Sequence, residues 1–166
     1  MNFGRLLKSL SVGQLCRLFG IAIARPILFY NFIKATKLCI SICTENFGNT
    51  HHKNNVANAF RHALWTALII SFSIDVGKSI KKSTAWAKFI TDWHEETFKN
   101  SPLEKAMDLH NNKFGIVLAE KTLQQKEKID TEKLVQTLLD EVKNAQQITT
   151  ISAIQKHPKQ LVFIEK

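Results

Sequence analysis

The fold of this chain is decided by the stretch at residues 58–70, NAFRHALWTALII. The stretch contains no Gly or Pro and is apolar at most positions, which is typical of a helix in the centre of a globular domain. Because an α-helix turns by about 100° per residue, His62 lies on one stripe of this helix together with Asn58 and Thr66. A polar stripe on a buried helix has to meet polar groups inside the protein. The stretch therefore predicts either a functional site or a satisfied network of buried hydrogen bonds.

Residues that break helices are rare in the rest of the chain. The 166 residues include only six Gly and three Pro, and strand-like alternation appears only at residues 160–164. We therefore expect an all-α, single-domain antiparallel helical bundle of about five to six helices. One domain would cover residues 1–166, with an apolar basic helical hairpin at 1–43, a core that carries the polar motifs at 44–122, and an amphipathic C-terminal helix and tail at 123–166.

Capping residues predict where the helices of the core begin. Asn54 or Asn55 is available to cap the central helix, which ends near residue 74. Ser83 or Thr84 is expected to cap the next helix. Ser101, followed by Pro and an acidic first turn, is a strong start signal for the helix after that.

The first 43 residues are apolar and basic. Basic residues precede an apolar run, as in a signal peptide, but Arg17 interrupts that run and Arg25-Pro26 ends it. No window offers roughly 20 nearly uncharged residues, so we expect no membrane span. We expect two amphipathic helices, at about 9–24 and 26–43, and no cleaved leader. The alternative is a helix that binds to the surface of a membrane, which the basic residues would suit.

The charge of the chain favours anionic partners. Lys and Arg number 23 against 14 Asp and Glu, which gives a formal net charge of +9. A membrane surface, a cell-wall polymer, nucleic acid and an acidic protein are all compatible with such a charge. Nucleic acid ranks lowest, because the sequence has no zinc-finger spacing, Arg-rich recognition helix or aromatic RNA-binding motif.

The three Cys residues do not form a disulfide framework, because they are few and close to one end of the chain. Cys39 and Cys43 stand four residues apart in an apolar segment. We therefore expect them to pack as small apolar side chains.

Three consecutive predicted helices each carry one short polar cluster. The first cluster lies near the start of its helix, the second near the end and the third in the first half. In an up-down-up packing all three would meet at one end of the bundle. The clusters are Asn58/Arg61/His62, then His94/Glu95, then Asp108/His110/Asn111/Asn112.

Two kinds of chemistry are compatible with these side chains. A His beside a carboxylate is the usual arrangement of a general base. Two His with an acid can instead hold a divalent metal whose bound water becomes the nucleophile. The sequence contains no HExxH, GxSxG or CxxC motif, so the spacing does not decide between them. A single His on a buried face is more often a hydrogen-bonded core residue, and the whole cluster could serve only to fix the helix register.

Each residue has a role on the enzyme hypothesis. The catalytic residues are His62, His94, Glu95 and Asp108. The substrate-binding residues are Asn58, Arg61, Trp65, Asn111 and Asn112. In the alternative role, a divalent metal would be held by His62, His94, Asp108 and His110.

These residues resemble a bacterial family of largely uncharacterised helical domains. Its members look like (Asp/Asn)-Ala-Phe-Arg-His-Ala-x-Trp, followed by His-Glu and by Met-Asp-x-His-Asn-Asn, and the resemblance covers about residues 47–118. Such domains occur alone or at the ends of larger secreted, toxin-like proteins, which implies an exported antibacterial effector. Asn58 stands where an acid often stands in the family. If that acid is catalytic, Asn58 puts the chemistry in doubt, and if it only caps or orients, little changes.

The sequence thus predicts a small helical hydrolase that acts on envelope material, either phospholipid or cell wall. It would be made in the bacterial cytoplasm, exported without a cleaved signal peptide, and neutralised by an acidic immunity protein. The alternative is a non-enzymatic binding or membrane-perturbing protein whose polar cluster is structural.

Overall fold

The computed structural model describes residues 10–98, 100–125 and 128–164, and it shows an all-α domain. The prediction of this fold class is confirmed. Two short parallel strands, β1 (Gln146–Gln147) and β2 (Val162–Phe163), are the β-structure of the described part. The helices of the described residues are α1 (Val12–Ala24), α2 (Pro26–Phe47), α3 (Val56–Asp75), α4 (Ile80–Thr97), α5 (Pro102–Gln124), α6 (Thr131–Val142) and the short α7 (Ile151–Ile154).

Two of the predicted helix starts are confirmed by their caps. Asn55 caps α3, since its side chain accepts a hydrogen bond from the backbone N–H of Asn58 at 3.2 Å. Ser101 and Glu104 form a capping box at the start of α5, in which each side chain accepts a hydrogen bond from the other residue's backbone N–H.

Three helix boundaries differ from the prediction. Helix α4 begins at Ile80, because Ser79 caps it, whereas Ser83 is buried inside the helix. A Ser one turn earlier performs the same capping function, and the turn before it is closed by Gly77 at φ 77°. Helix α1 begins at Val12, whereas a start at about residue 9 was predicted, and α2 continues to Phe47, beyond the predicted end at 43.

Helix α3 is the centre of the fold. It packs against α2, α4, α5 and α6, and 15 of its 20 residues are buried. Helices α3 and α5 run in the same direction: Asn58 contacts Asp108 and His62 contacts Asn112, so a step of four residues along one helix matches a step of four along the other. Helix α4 connects them and returns in the opposite direction.

Gly115 allows α3 and α5 to approach closely. A Cβ atom at this position would lie 2.2 Å from the backbone oxygen of Ala63. Any side chain there would therefore push the two helices apart. The distance between the polar stripes of the two helices depends on this contact.

Helices α1 and α2 cover one side of the core. Helix α2 runs antiparallel to α3, with Phe47 against Phe60 at one end and the indole Nε1 of Trp65 donating to Thr36 Oγ1 at 2.9 Å further along. Cys39 and Cys43 are buried and unpaired, as expected of small apolar side chains. Helix α1 lies beside α4, where Gln14 Nε2 donates to the backbone oxygen of Thr97 at 2.9 Å.

The prediction that no segment has the composition of a membrane span is wrong for α2. By length and composition alone, Pro26–Phe47 could cross a membrane, with a mean hydropathy of 1.3 over its best window despite Lys34 and Lys37. A third of that window is buried inside the domain. The core helix of a globular protein meets the same criterion, and α2 packs Phe32 and Ala35 against the rest of the fold.

Candidate functional site

His62, Glu95 and Asp108 form a buried cluster between α3, α4 and α5. His62 Nε2 lies 3.3 Å from Asp108 Oδ1, and His62 Nδ1 lies 3.6 Å from Glu95 Oε1. One potential ligand atom from each residue falls within 4.8 Å of the other two. The structure therefore brings together one residue from each of the three polar clusters.

The helix register explains why these three residues meet. Asn58, His62 and Thr66 recur every four residues on α3 and form the predicted stripe, while Asp108 and Asn112 form a matching stripe on α5. Because the two helices are parallel and in register, the stripes face each other over two turns. Glu95 joins them from the last turns of α4, which runs back towards the start of α3.

Side-chain amides hold the carboxylate of Asp108 in place. Asn58 Nδ2 donates to Asp108 Oδ1 at 3.3 Å, and Asn100 Nδ2 donates to Asp108 Oδ2 at 3.2 Å. Both oxygens thus have a fixed direction before any ligand binds. In this chain Asn58 therefore orients the carboxylate of Asp108 and does not itself act as an acid.

Hydrogen bonds also fix the tautomer of His62. An Arg side chain can only donate, so Arg61, whose NH2 group lies 2.9 Å from His62 Nε2, makes that nitrogen the acceptor. The proton then resides on Nδ1, which donates to Asn112 Oδ1 at 3.2 Å. Thr66 Oγ1 donates to the same Asn112 oxygen at 3.1 Å. The lone pair of His62 therefore points to the side of Arg61 and Asp108.

The guanidinium of Arg61 is held at two points. Besides its bond to His62, its NH1 group donates to the backbone oxygen of His51 at 2.6 Å. His51 is buried in the turn Thr50–His52 that precedes α3. This turn thus places one positive charge at the edge of the cluster.

Burial shifts the protonation equilibria of the cluster. The pKa of Glu95 is raised to about 8, by burial and then by the nearby charge of Asp108. The pKa of Asp108 is raised to about 7, mainly by burial. The pKa of His62 is lowered well below its ordinary value by burial and by the charge of Arg61. In the absence of a further cation, the cluster therefore favours protonated acids beside a neutral His.

Several polar atoms of the cluster lack a hydrogen-bond partner among the described residues. These buried atoms are Glu95 Oε1, Asn58 Oδ1 and Asn112 Nδ2. Buried polar atoms in native proteins are nearly always satisfied, by the protein or by something bound to it. Among these atoms, Glu95 Oε1 lies 3.6 Å from His62 Nδ1.

A small pocket of about 80 Å³ reaches the cluster from the side of α2. Arg61, His62 and His94 supply its polar atoms, and the ring of Trp65 forms part of its wall. Sequence reasoning did not identify the α2 residues of this pocket, because they belong to a helical stripe with the spacing of core positions. They are Thr36, Cys39 and Ile40.

Three residues that were predicted to join the site lie outside the ligand group. His94 packs its ring against Trp65 at 5.1 Å and Phe98 at 4.6 Å, so it lines the pocket but is not in the ligand group. His110 Nε2 donates to the backbone oxygen of Gln160 at 2.8 Å. Asn111 pairs with both backbone groups of Val162, at 2.8 and 3.0 Å, and fixes the C-terminal strand.

The fold and the cluster together define a small all-α domain with a buried His–carboxylate centre. The family described as "Domain of unknown function (DUF6973)" matches residues 19–146, and the chain belongs to this family. The match extends beyond 47–118, where the resemblance was recognised, and it includes every residue of the cluster. No curated protein and no solved structure matches the chain.

Proposed function

We propose that this protein is a metal-dependent hydrolase whose divalent cation is held by His62, Glu95 and Asp108. The observation that carries the proposal is the convergence of three buried ligand atoms within 4.8 Å. For metal–ligand distances of about 2.0–2.2 Å, tetrahedral geometry separates two ligand atoms by roughly 3.3–3.6 Å. The 3.3 Å between His62 Nε2 and Asp108 Oδ1 agrees with that separation. Glu95 Oε1 lies 3.6 Å from the other ring nitrogen, Nδ1, so the Glu95 side chain would have to turn towards Nε2 to complete the set.

The surroundings of the cluster also suit a metal ion. A metal-bound His usually donates its other ring N–H to an oxygen, as His62 Nδ1 does to Asn112. Two buried carboxylates carry more negative charge than the single Arg61 guanidinium at the edge of the cluster can balance, and a divalent cation would supply the rest. A divalent cation held there would supply a coordinated water with a pKa lowered to about 7 and a Lewis acid for the oxygen of the substrate.

Arg61 would hold the anionic or carbonyl oxygen of the substrate. It lies at the wall of the pocket, and the lone pair of His62 to which it donates is the one that a metal would take. Binding of the metal would therefore release this guanidinium group towards the pocket. A planar guanidinium is well suited to bidentate contacts with phosphate or carboxylate oxygens.

Envelope material, in the form of phospholipid or cell wall, is the substrate class that we propose. The formal charge of +9 attracts anionic polymers and anionic lipid surfaces. The apolar wall formed by Trp65 and Ile40 suits a substrate with an apolar part. With the resemblance to secreted, toxin-like proteins, these features support an exported antibacterial effector with an acidic immunity partner.

Hydrolysis of defined substrates tests the proposal. The metal-free protein is loaded with Zn²⁺ or Mn²⁺ and incubated with phosphatidylglycerol vesicles or with peptidoglycan fragments, and the products are identified by mass spectrometry. We expect metal-dependent hydrolysis of one substrate and a loss of at least about 100-fold in His62→Ala and Asp108→Asn. His157→Ala, which changes a His outside the cluster, serves as the matched control. Unchanged turnover in both cluster variants, or no turnover of either substrate by the loaded protein, would overturn the hydrolase assignment.

A non-enzymatic binding protein is the second candidate function, and one contact favours it. The bond of 2.9 Å from Arg61 to His62 already satisfies the free lone pair of the imidazole without a metal. In that case the cluster would only fix the register of α3 and α5. A protein that binds no divalent ion and hydrolyses neither substrate would support this second candidate.

A further inference from the structure

The hairpin of α1 and α2 exposes an unusual amount of apolar surface. Val12, Phe19 and Ile23 on α1 are 70–78% exposed, and Ile27 and Tyr30 in the first turns of α2 are 61% and 65% exposed. We call these five residues the hairpin face. They account for most of the large apolar side chains that are exposed in the described part of the chain.

The hairpin face is continuous along α1. With about 3.6 residues per turn, positions 12, 19 and 23 fall on one side of the helix. A second side of α1, about 120° away, faces the domain and buries Leu18. Helix α1 is therefore apolar on both sides, whereas an ordinary surface helix has a polar outer side. Clustered apolar exposure of this kind is typical of an interaction surface.

Basic side chains lie on the same two helices as the hairpin face. Between residues 10 and 47 the chain has four basic residues and one acidic residue, Glu45, and all five are exposed. Lys34 Nζ lies 5.8 Å from the ring centre of Tyr30, and the Arg25 guanidinium lies 5.4 Å from that of Phe89, which is partly exposed. The basic residues are Arg17, Arg25, Lys34 and Lys37.

From these features we infer that the hairpin face is a docking surface for an anionic lipid bilayer. Apolar side chains would enter the interface between headgroups and acyl chains, and the flanking cations would contact lipid phosphates. A second copy of the chain is a poor partner for this face, because it would bring the same four cations against each other. Helix α2 still packs Phe32 and Ala35 into the domain, so the contact is peripheral to the bilayer and does not span it.

The inference of a docking surface does not depend on the metal centre, because the two consist of different residues. The two are neighbours in the fold, however. Gln14 of α1 bonds to Thr97, which lies one turn from His94 in the wall of the pocket, and Thr36 and Ile40 of α2 line the same pocket. Lipid binding through the hairpin would hold the pocket close to the bilayer.

Co-sedimentation with vesicles tests the docking surface. The full chain is mixed with vesicles of phosphatidylcholine alone or of phosphatidylcholine with phosphatidylglycerol, and the bound fraction is measured. We expect binding to the anionic vesicles and little to the neutral ones. The double variant Phe19→Gln/Ile23→Gln is expected to bind the anionic vesicles at least about tenfold more weakly, since two large side chains no longer enter the interface.

The matched control replaces two exposed apolar residues elsewhere, Val117→Gln and Ile151→Gln, and should bind as the wild type does. Circular dichroism verifies that all variants are folded. Equal vesicle binding by the wild type and the Phe19/Ile23 variant would overturn the inference. So would a wild-type dimer that this variant abolishes, because the hairpin face would then belong to a second copy of the chain.

Discussion

At the scale of single residues, protons and the proposed cation would compete for the same two acids. Glu95 and Asp108 are two acids buried within reach of one imidazole, and each has a raised pKa. A divalent cation and the protons of these acids would compensate the same negative charge, so they exclude each other. The ionisation of two side chains would therefore link the stability of the fold to occupancy of the proposed site.

The metal-free protein is expected to lose stability between about pH 6.5 and 8. In the folded chain Asp108 and Glu95 keep protons up to about pH 7 and 8, whereas in the unfolded chain they have ordinary values of 3.8 and 4.5. The unfolded state thus binds fewer protons, and the free energy of unfolding falls as the pH rises. Below about pH 6.5 the unfolded state binds more protons at His62 and His94, because burial lowers the pKa of both residues in the folded chain. This raises the free energy of unfolding as the pH rises and offsets the contribution of the two acids.

Thermal unfolding in the presence of a chelator measures this pH dependence. We expect a loss on the order of 2 kcal/mol across the window, and a smaller one in Glu95→Gln, which cannot ionise. A melting temperature that is constant or rises between pH 6.5 and 8 would show that the two carboxyls are not buried as described.

At the scale of helices, the close approach of α3 and α5 sets the geometry of the site. Gly115→Ala is expected to destabilise the protein by about 1–3 kcal/mol or more, because the new Cβ would overlap the backbone oxygen of Ala63. Gly20→Ala is the matched control, since a Cβ in the exposed part of α1 meets nothing within 4 Å. That control should be neutral or stabilising by up to about 1 kcal/mol. Denaturant unfolding measures both, and equal stability of the two variants would contradict the close packing.

The helices could be predicted from the sequence because their signals are local. Caps such as Asn55 and Ser101 and the four-residue recurrence of polar side chains are visible in a short window. The start of α4 was misplaced because Ser79 and Ser83 both satisfy the capping rule, and only the turn at Gly77 selects the first.

The composition of the site was harder to predict, because it depends on distant parts of the chain. Asp108, His110, Asn111 and Asn112 are neighbours in sequence, yet they point in different directions around α5. The parallel register with α3 selects Asp108 and Asn112, whereas the C-terminal strand takes up Asn111. A pattern within one helix contains no information about which neighbour lies on which side.

At the scale of the whole molecule, the family match covers most of the chain. The matched residues 19–146 include the pocket-lining helix α2 as well as α3, α4 and α5. The match thus includes α2 and the second half of α1; α2 lines the pocket, and both helices carry the proposed docking surface. A positively charged domain of this kind is suited to a substrate at an anionic surface.

Calorimetric titration of the metal-free protein with Zn²⁺ tests the central claim most directly. We predict one ion per chain for the wild type and for the control His157→Ala. The affinity should be at least about tenfold weaker in His62→Ala and in Asp108→Asn, because each variant removes a ligand from a set of three. Absence of binding by the wild type, or equal affinity in the wild type and both cluster variants, would contradict a metal centre at His62, Glu95 and Asp108.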